Sequence, residues 1–337
     1  MNLFGFSLGS GLFLGDKKWK KAMKWDKIYE FVPNVDGWRK LFDSLNRTVT
    51  SSKLDGPVGL CFHFLARVPR ILRNVGFMDD FKTVMGEIKS EKNFELGIHS
   101  RHGDSEVICS PRFLEAFTED LEFAVDLGVS ALVEHPPIGT DDTKEDAVKI
   151  LTSPKVIALM DAHPGFPLCW ENKADYLHKR RFFGSLEQMV LFREMLVDRL
   201  KKINRPDLID RHKFCFDTGH LLIWRYTHED QAAADEEIET YLPEFAKHLK
   251  VYHYQCNDGI KDAHMTPFST KFMDHGSRSN LNQEQFVENF QILRNWITIS
   301  ERNKNEENMH QHLEAHRLPF TLDQYTEFAD ELASLIR

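Results

Sequence analysis

Eight short apolar runs recur at fairly even spacing along this chain of 337 residues, and they constrain its fold more than any other feature. A run that is apolar throughout, rather than at alternate positions, is typical of a strand buried on both faces of a parallel sheet. We therefore predict eight parallel strands. The runs are Leu3–Leu8, Val58–Phe64, Phe94–His99, Ala131–Glu134, Pro167–Trp170, Lys213–Phe216, Leu249–Tyr254 and Met309–Leu313.

Segments with apolar residues at helical spacing lie between these runs. Three of the segments begin close to a residue type that commonly caps a helix, namely Ser110, Ser185 and Thr321. The clearest predicted helices are Ser110–Leu127, Leu186–Leu200, Gln283–Trp296 and Leu322–Ile336. Two further segments, Lys144–Lys155 and His228–Glu244, are interpreted as helical insertions or ordinary helices.

The alternation of strands and helices allows either a closed barrel or an open, doubly wound sheet. No glycine-rich dinucleotide fingerprint follows the first strand, and the even spacing favours the barrel. The chain is 42% hydrophobic and contains no low-complexity linker. The sequence thus predicts an α/β protein, a (β/α)8 TIM barrel with helical insertions, that forms a single domain over 1–337.

Composition limits the compartment and the partners. No apolar run is long enough to span a bilayer, and five scattered cysteines without short paired spacing indicate reduced thiols in a cytoplasmic protein. The formal net charge of −9 argues against a protein that coats nucleic acid non-specifically. Two basic stretches, Lys17–Lys27 and Lys179–Phe183, are either local phosphate contacts or a solvated helix face and a solvated loop.

Metal-ligand types of residue stand at or near the end of nearly every predicted strand. In a barrel the C-terminal strand ends meet at one mouth, so these side chains would converge although they are far apart in the sequence. Imidazole and carboxylate groups bind zinc, manganese or iron, and grouped carboxylates need cations to offset their repulsion. The residues are His63, His99, His135, Glu171, Asp217, His220, His253, Asp262, His264 and Glu314.

Each of these residues also has an ordinary structural interpretation. A single histidine at a strand end is more often a hydrogen-bonded core residue than a ligand. Asp217 could cap a helix, and Glu314 could pair with Arg317. The repetition of such residues at the same place on successive strands is what favours a metal site.

Ordered motifs give the chain a resemblance to the xylose-isomerase-like TIM-barrel superfamily, and within it most closely to the endonuclease IV family. They cover most of the chain and are His135–Pro136, Glu171–Asn172, Asp217-Thr-Gly-His220, His253 with Asn257–Asp258 following, Asp262-Ala-His264 and Leu313–Glu314. The opening FGFSLGSGL is similar to that family's first strand, with Ser7 in place of a histidine. The ultraviolet-damage endonucleases are a second match, since they also place a histidine in the second strand, as His63 is here.

The resemblance implies two or three metal ions, zinc in the first place, with manganese or another divalent metal as an alternative. One ion would bind His99, His135 and Glu171; a second would share Glu171 and add Asp217, His253 and Glu314; a third would bind His220, Asp262 and His264. The family's Gly-Glu-Gly turn is missing, and Met273-Asp-His275-Gly-Ser277 stands there instead. His275 is therefore a rival to His264, which the Asp-x-His spacing favours.

The activity that this resemblance implies is metal-dependent hydrolysis of a phosphoester, as in AP endonucleases that act on damaged DNA. Glu171 would be the central catalytic residue, because it bridges two ions. The basic residues Lys179, Arg180 and Arg181 would then contact the substrate.

The alternative is a sugar isomerase or epimerase of the same superfamily, in which one metal polarises a carbonyl and carboxylates move a proton at the adjacent carbon. Its substrate would be a small sugar or phosphorylated molecule, and its metal would bind only the inner ligand set. Such an enzyme does not need the outer histidines, so their presence favours the hydrolase. A third hypothesis is a barrel that binds a partner without catalysis. The inner set is Glu171, Asp217, His253 and Glu314, and the outer set is His99, His135, His220 and His264.

Overall fold

The structure, a computed structural model, describes most of the chain but not all of it. The described residues are 3–9, 58–63, 79, 82–83, 85–87, 94–99, 111–136, 144–173, 183–257, 267–268, 282–306, 309–313 and 322–335. For the first two strands only the backbone is described.

Eight parallel strands hydrogen bond to one another in chain order and close into a barrel, because the first strand pairs with both the second and the last. The predicted parallel sheet is confirmed, and it is closed rather than open. The strands are β1 (Leu3–Gly9), β2 (Val58–His63), β3 (Phe94–His99), β4 (Ala131–Glu134), β5 (Leu168–Glu171), β6 (His212–Asp217), β7 (Leu249–Tyr254) and β8 (His310–Leu313).

The strands end close to the predicted positions, and two of the shifts bring a carboxylate into the barrel wall. Strand β5 extends one residue beyond its apolar run to include Glu171, and β6 likewise extends to Asp217. Backbone pairing depends on main-chain hydrogen bonds and not on side-chain hydropathy. Glu171 is paired with Cys215, and Asp217 with His253, so ordered neighbouring strands hold both carboxylates in place.

Helices pack around the barrel, and those whose full bounds are described follow strands from β3 onwards. They are α1 (Pro111–Asp126), α2 (Lys144–Leu151), α3 (Pro154–Ala162), α4 (Leu186–Lys202), a 3-10 helix (Pro206–Arg211), α5 (Thr218–Thr227), α6 (Gln231–Ala246), α7 (Gln283–Asn303) and α8 (Leu322–Leu335). Among these helices, none combines the length and the hydropathy that crossing a bilayer requires.

The expected capping at Ser185 is confirmed, since its hydroxyl accepts from the backbone of Gln188 and the Gln188 side chain accepts from the backbone of Ser185. The other two predicted caps, Ser110 and Thr321, lie outside the described residues. The segment Lys144–Lys155 is helical as predicted, and it is divided between two helices. Ser153 is the N-cap of α3, and Pro154 is the first residue of that helix. This cap and proline begin a new helix shortly after α2 ends at Leu151.

Inside the barrel, a layer of small apolar side chains lies directly before the strand ends. It consists of Ala131, Val133, Cys169, Cys215 and Val251. Because side chains two positions apart share a face of a strand, this layer precedes the inward-facing residues at the barrel mouth. Among the strands whose side chains are described, these residues fill the barrel interior beneath the mouth.

Candidate metal centre

Six of the predicted ligands converge at the barrel mouth, as the strand order requires. They are His99, His135, Glu171, Asp217, His220 and His253. The other predicted site residues lie outside the described part of the chain, so their placement stays a prediction: Asp262, His264, its rival His275, Glu314, Lys179, Arg180 and Arg181. His63 ends β2 in register with His99, but its side chain is not described.

Glu171 is the centre of the group. Its Oε2 lies 2.7 Å from Nε2 of His99 and 2.6 Å from Nε2 of His135. Its Oε1 lies 2.7 Å from Nδ1 of His253. The Glu171 side chain is fully buried, and the exposed fractions of His99, His135 and His253 are 2%, 12% and 0%. One buried carboxylate therefore faces imidazoles from three different strand ends.

The electrostatics of this group keep Glu171 anionic. Burial by itself raises the pKa of its carboxyl, but the neighbouring His99, His253 and His135 outweigh burial and hold that pKa well below its usual value. Burial also lowers the pKa of His99 to about 4, although Glu171 opposes the shift. At neutral pH His99 is thus an uncharged imidazole, the form in which histidine binds a metal.

Asp217 and His220 form a second part of the site at the start of α5. Asp217 caps this helix, because its Oδ1 accepts from the backbone N–H of His220 at 2.7 Å. The capping role that the sequence offered as an alternative for Asp217 is therefore real. It does not exclude ligation, since its side chain lies in the same group as side-chain atoms of Glu171 and His220.

Asn172 ties these two parts together. Its side-chain amide donates to the backbone carbonyl of Asp217 at 2.9 Å and accepts from the backbone N–H of Asp217 at 2.8 Å. Its own carbonyl oxygen lies 2.8 Å from Nδ1 of His220. Because a carbonyl only accepts, Nδ1 of His220 carries the proton and the ring lone pair is on Nε2. A histidine whose second nitrogen is fixed in this way is typical of metal centres.

The donor set fits a divalent metal. Three groups have ligand atoms within 4.8 Å of one another, and Glu171 belongs to all three. They are His99 with His135, His253 with Cys215, and Asp217 with His220. Imidazole and carboxylate donors suit zinc, and a buried carboxylate that faces three imidazoles is a natural position for a cation.

Sequence reasoning missed three contributors to this site. Cys215 is buried in the apolar layer of the barrel, but its thiol also donates to Oε1 of Glu171 over 3.8 Å. Burial raises the pKa of this thiol well above its usual value, so it remains a donor. Gln255 donates to Asp217, and Gly219 allows α5 to approach the segment after β7. Only Gly219, inside the Asp-Thr-Gly-His motif, carried a recognisable signal.

We expect Gly219→Ala to destabilise the protein by about 1–3 kcal/mol, the usual cost of overpacking a buried position. A Cβ at this position would lie 2.5 Å from Nδ2 of Asn257 and 2.5 Å from Cγ of Gln255. Urea unfolding followed by circular dichroism measures the change. Gly86→Ala is the matched control, because a Cβ there meets nothing within 4 Å of the described structure. Equal stability of the two variants would contradict the close packing at Gly219.

Two solved structures share this fold across nearly the whole chain. A D-tagatose 3-epimerase-like protein has a TM-score of 0.52 at 12% identity, with 98% of each chain covered. D-allulose 3-epimerase from Methylomonas sp. has a TM-score of 0.51 at 11% identity, with 96% of each chain covered. Endonuclease IV from Thermus thermophilus has a TM-score of 0.43 at 16% identity, with 88% of this chain and 98% of that chain covered.

No protein-family model matches the sequence, and no curated protein matches it. The likeness to the two epimerase structures shows a shared fold, in agreement with the TIM-barrel fold that the ordered motifs implied. Identities of this size show the fold alone, and one fold serves unrelated reactions. The side chains at the mouth have to carry any argument about the reaction.

Proposed function

We propose that this protein is a phosphoester hydrolase that depends on two or three divalent ions, zinc in the first place, at the mouth of a complete (β/α)8 barrel. The observation that supports it best is that the two carboxylate oxygens of Glu171 face different histidines. One of its oxygens faces His99 and His135, and the other faces His253. A carboxylate whose two oxygens serve separate ligand groups is suited to lie between two ions.

The outer histidines support several ions rather than one. A single ion on the inner set, which is Glu171, Asp217, His253 and Glu314, would leave His99, His135 and His220 without a metal to bind, although all three are largely buried at the same mouth. His220 in particular has its Nδ1 directed at a carbonyl, which leaves the lone pair of its Nε2 available to bind a metal. The multi-ion hypothesis uses each of these side chains.

The bound ions would supply Lewis-acid chemistry, lowering the pKa of water and offsetting charge on a phosphoryl group. Glu171 and Asp217 would hold them with negative charge, while neutral imidazoles complete the ligand sets without adding charge. The layer of small apolar side chains that includes Cys215 lies beneath Glu171 inside the barrel, so a substrate would approach from the mouth. Asp262, His264 and Glu314 complete the proposed ligand sets.

Damaged DNA is the substrate class we propose first, and a small phosphorylated molecule is the second. The segment that contains Lys179, Arg180 and Arg181 begins just after β5, and its two flanks are joined where the backbone N–H of Lys173 donates to the carbonyl of Phe183 at 3.0 Å. Loops that follow barrel strands open on the mouth. A net charge of −9 means that phosphate contacts would have to be local, as this basic segment provides.

Metal content and substrate preference together test the proposal. We expect the purified protein to contain two or three ions per chain by elemental analysis. We expect it to cleave a duplex containing one abasic site, or a chromogenic phosphodiester, and to lose that activity on treatment with a chelator. Binding of the abasic duplex should weaken as salt rises, and should weaken further when the three basic residues are changed to Ala.

Two outcomes would overturn the proposal. One ion per chain, combined with epimerisation of a ketose and no phosphodiesterase activity, would establish the isomerase. If protein that was never exposed to a chelator contains no metal, the hypothesis of a binding module without catalysis would be favoured. Phosphodiesterase activity without binding of the abasic duplex at low salt would instead exclude DNA as the substrate and favour a small phosphorylated molecule.

A further inference from the structure

We propose that Gln255 is a positioning residue that fixes the carboxylate of Asp217 for metal binding, an inference that rests on the proposed metal-dependent function. Gln255 follows β7 and is fully buried. A glutamine is not a favoured metal ligand, and nothing in its sequence context marks it. Its importance arises from what it contacts in the folded barrel.

The side chain of Gln255 immobilises one oxygen of Asp217. Its Nε2 donates to Oδ2 of Asp217 over 2.5 Å, while Oδ1 of Asp217 accepts from the backbone N–H of His220. The amide must present its nitrogen to the carboxylate, because two facing oxygens would repel each other. Among the described residues, Oε1 of Gln255 has no hydrogen-bond partner, so the amide is used as a donor.

Gln255 is itself held in place by the first turn of α5. The hydroxyl of Thr218 donates to the carbonyl of Gln255 at 2.7 Å and accepts from its backbone N–H at 3.0 Å. Its side chain packs so closely against Gly219 that a Cβ there would lie 2.5 Å from Cγ of Gln255. Backbone and side chain of Gln255 are both clamped to the turn that carries Asp217 and His220.

This clamp has a consequence for the affinity of the site. A carboxylate with one oxygen released could rotate, and ordering it again on metal binding would cost free energy. Partners that orient a ligand in this way change metal affinity or activity by about 10- to 100-fold. Gln255 would therefore act on the metal through Asp217, without touching it.

The test is zinc affinity measured by competition with a chromogenic chelator, for the parent and for Gln255→Met. Methionine keeps the length of the side chain but cannot donate, so we expect zinc affinity to fall by about 10- to 100-fold. Gln311→Met is the matched control. Gln311 is also buried, and its Oε1 accepts from the hydroxyl of Tyr254 at 2.9 Å. We expect this control to lower stability and leave zinc affinity unchanged.

A second variant keeps the test decisive if Gln255→Met does not fold. Thr218→Val removes the hydroxyl that clamps Gln255, and we expect a smaller loss of zinc affinity in the same direction. Parental zinc affinity in folded Gln255→Met, or in Thr218→Val if that is the variant that folds, would overturn the positioning role alone. Zinc binding by the parent without phosphodiesterase activity would overturn only the proposed function, and a parent that binds no metal would overturn both.

Discussion

Glu171→Gln is expected to abolish turnover while the fold remains intact. The loss of a residue that only orients a metal ligand already lowers metal affinity or activity by about 10- to 100-fold. Glu171 is placed to be the shared ligand itself, so its substitution should have a larger effect. The change keeps the shape of the side chain but removes the negative charge. It also replaces one carboxylate oxygen with an NH2 group, which cannot accept a hydrogen bond from an imidazole, although His99, His135 and His253 all face this carboxylate.

The measurements for this variant are steady-state turnover, metal content and the circular dichroism spectrum. We expect metal content to fall together with turnover, because the ions lose their shared anion. Glu301→Gln is the control, since Glu301 is a partly buried carboxylate on α7 that pairs with Lys304 rather than with the site. An active Glu171→Gln enzyme would show that this carboxylate is not central to the reaction.

His220→Ala is expected to remove about one ion per chain and to reduce phosphodiesterase activity by far more than the roughly 10- to 100-fold cost of losing an orienting residue. The reason is the orientation of its ring: Nδ1 donates its proton to the carbonyl of Asn172, and the lone pair of Nε2 is available to bind a metal. If the centre holds a single ion, this histidine lies outside the ligand set and the ion count stays the same.

His212→Ala is the matched control for that experiment. His212 begins β6, the strand that ends at Asp217, and its ring is also buried. It accepts from the indole N–H of Trp170 at 3.1 Å, at the opposite end of the strand from the mouth. We expect it to lower stability and leave the ion count unchanged. An unchanged ion count in His220→Ala as well would favour the single-metal isomerase.

The sequence by itself determined the strand pattern and the identity of the candidate ligands. Apolar runs predicted β3, β4 and β7 to the residue, because strands buried on both faces need apolar side chains on both. The placement of His99, Glu171 and Asp217 followed, since parallel strands of a barrel end at one mouth. Those conclusions needed only local pattern and topology.

Only the tertiary structure decided how the ligands are held. The pairing of each Glu171 oxygen with different imidazoles, and the clamp of Gln255 on Asp217, join residues from different strands. Such contacts depend on side-chain rotamers and on backbone approach within a packed barrel, and a glutamine after a strand has no local signature for them. Sequence spacing predicts which residue lies at a strand end, but the three-dimensional packing determines the hydrogen-bond partners of that residue.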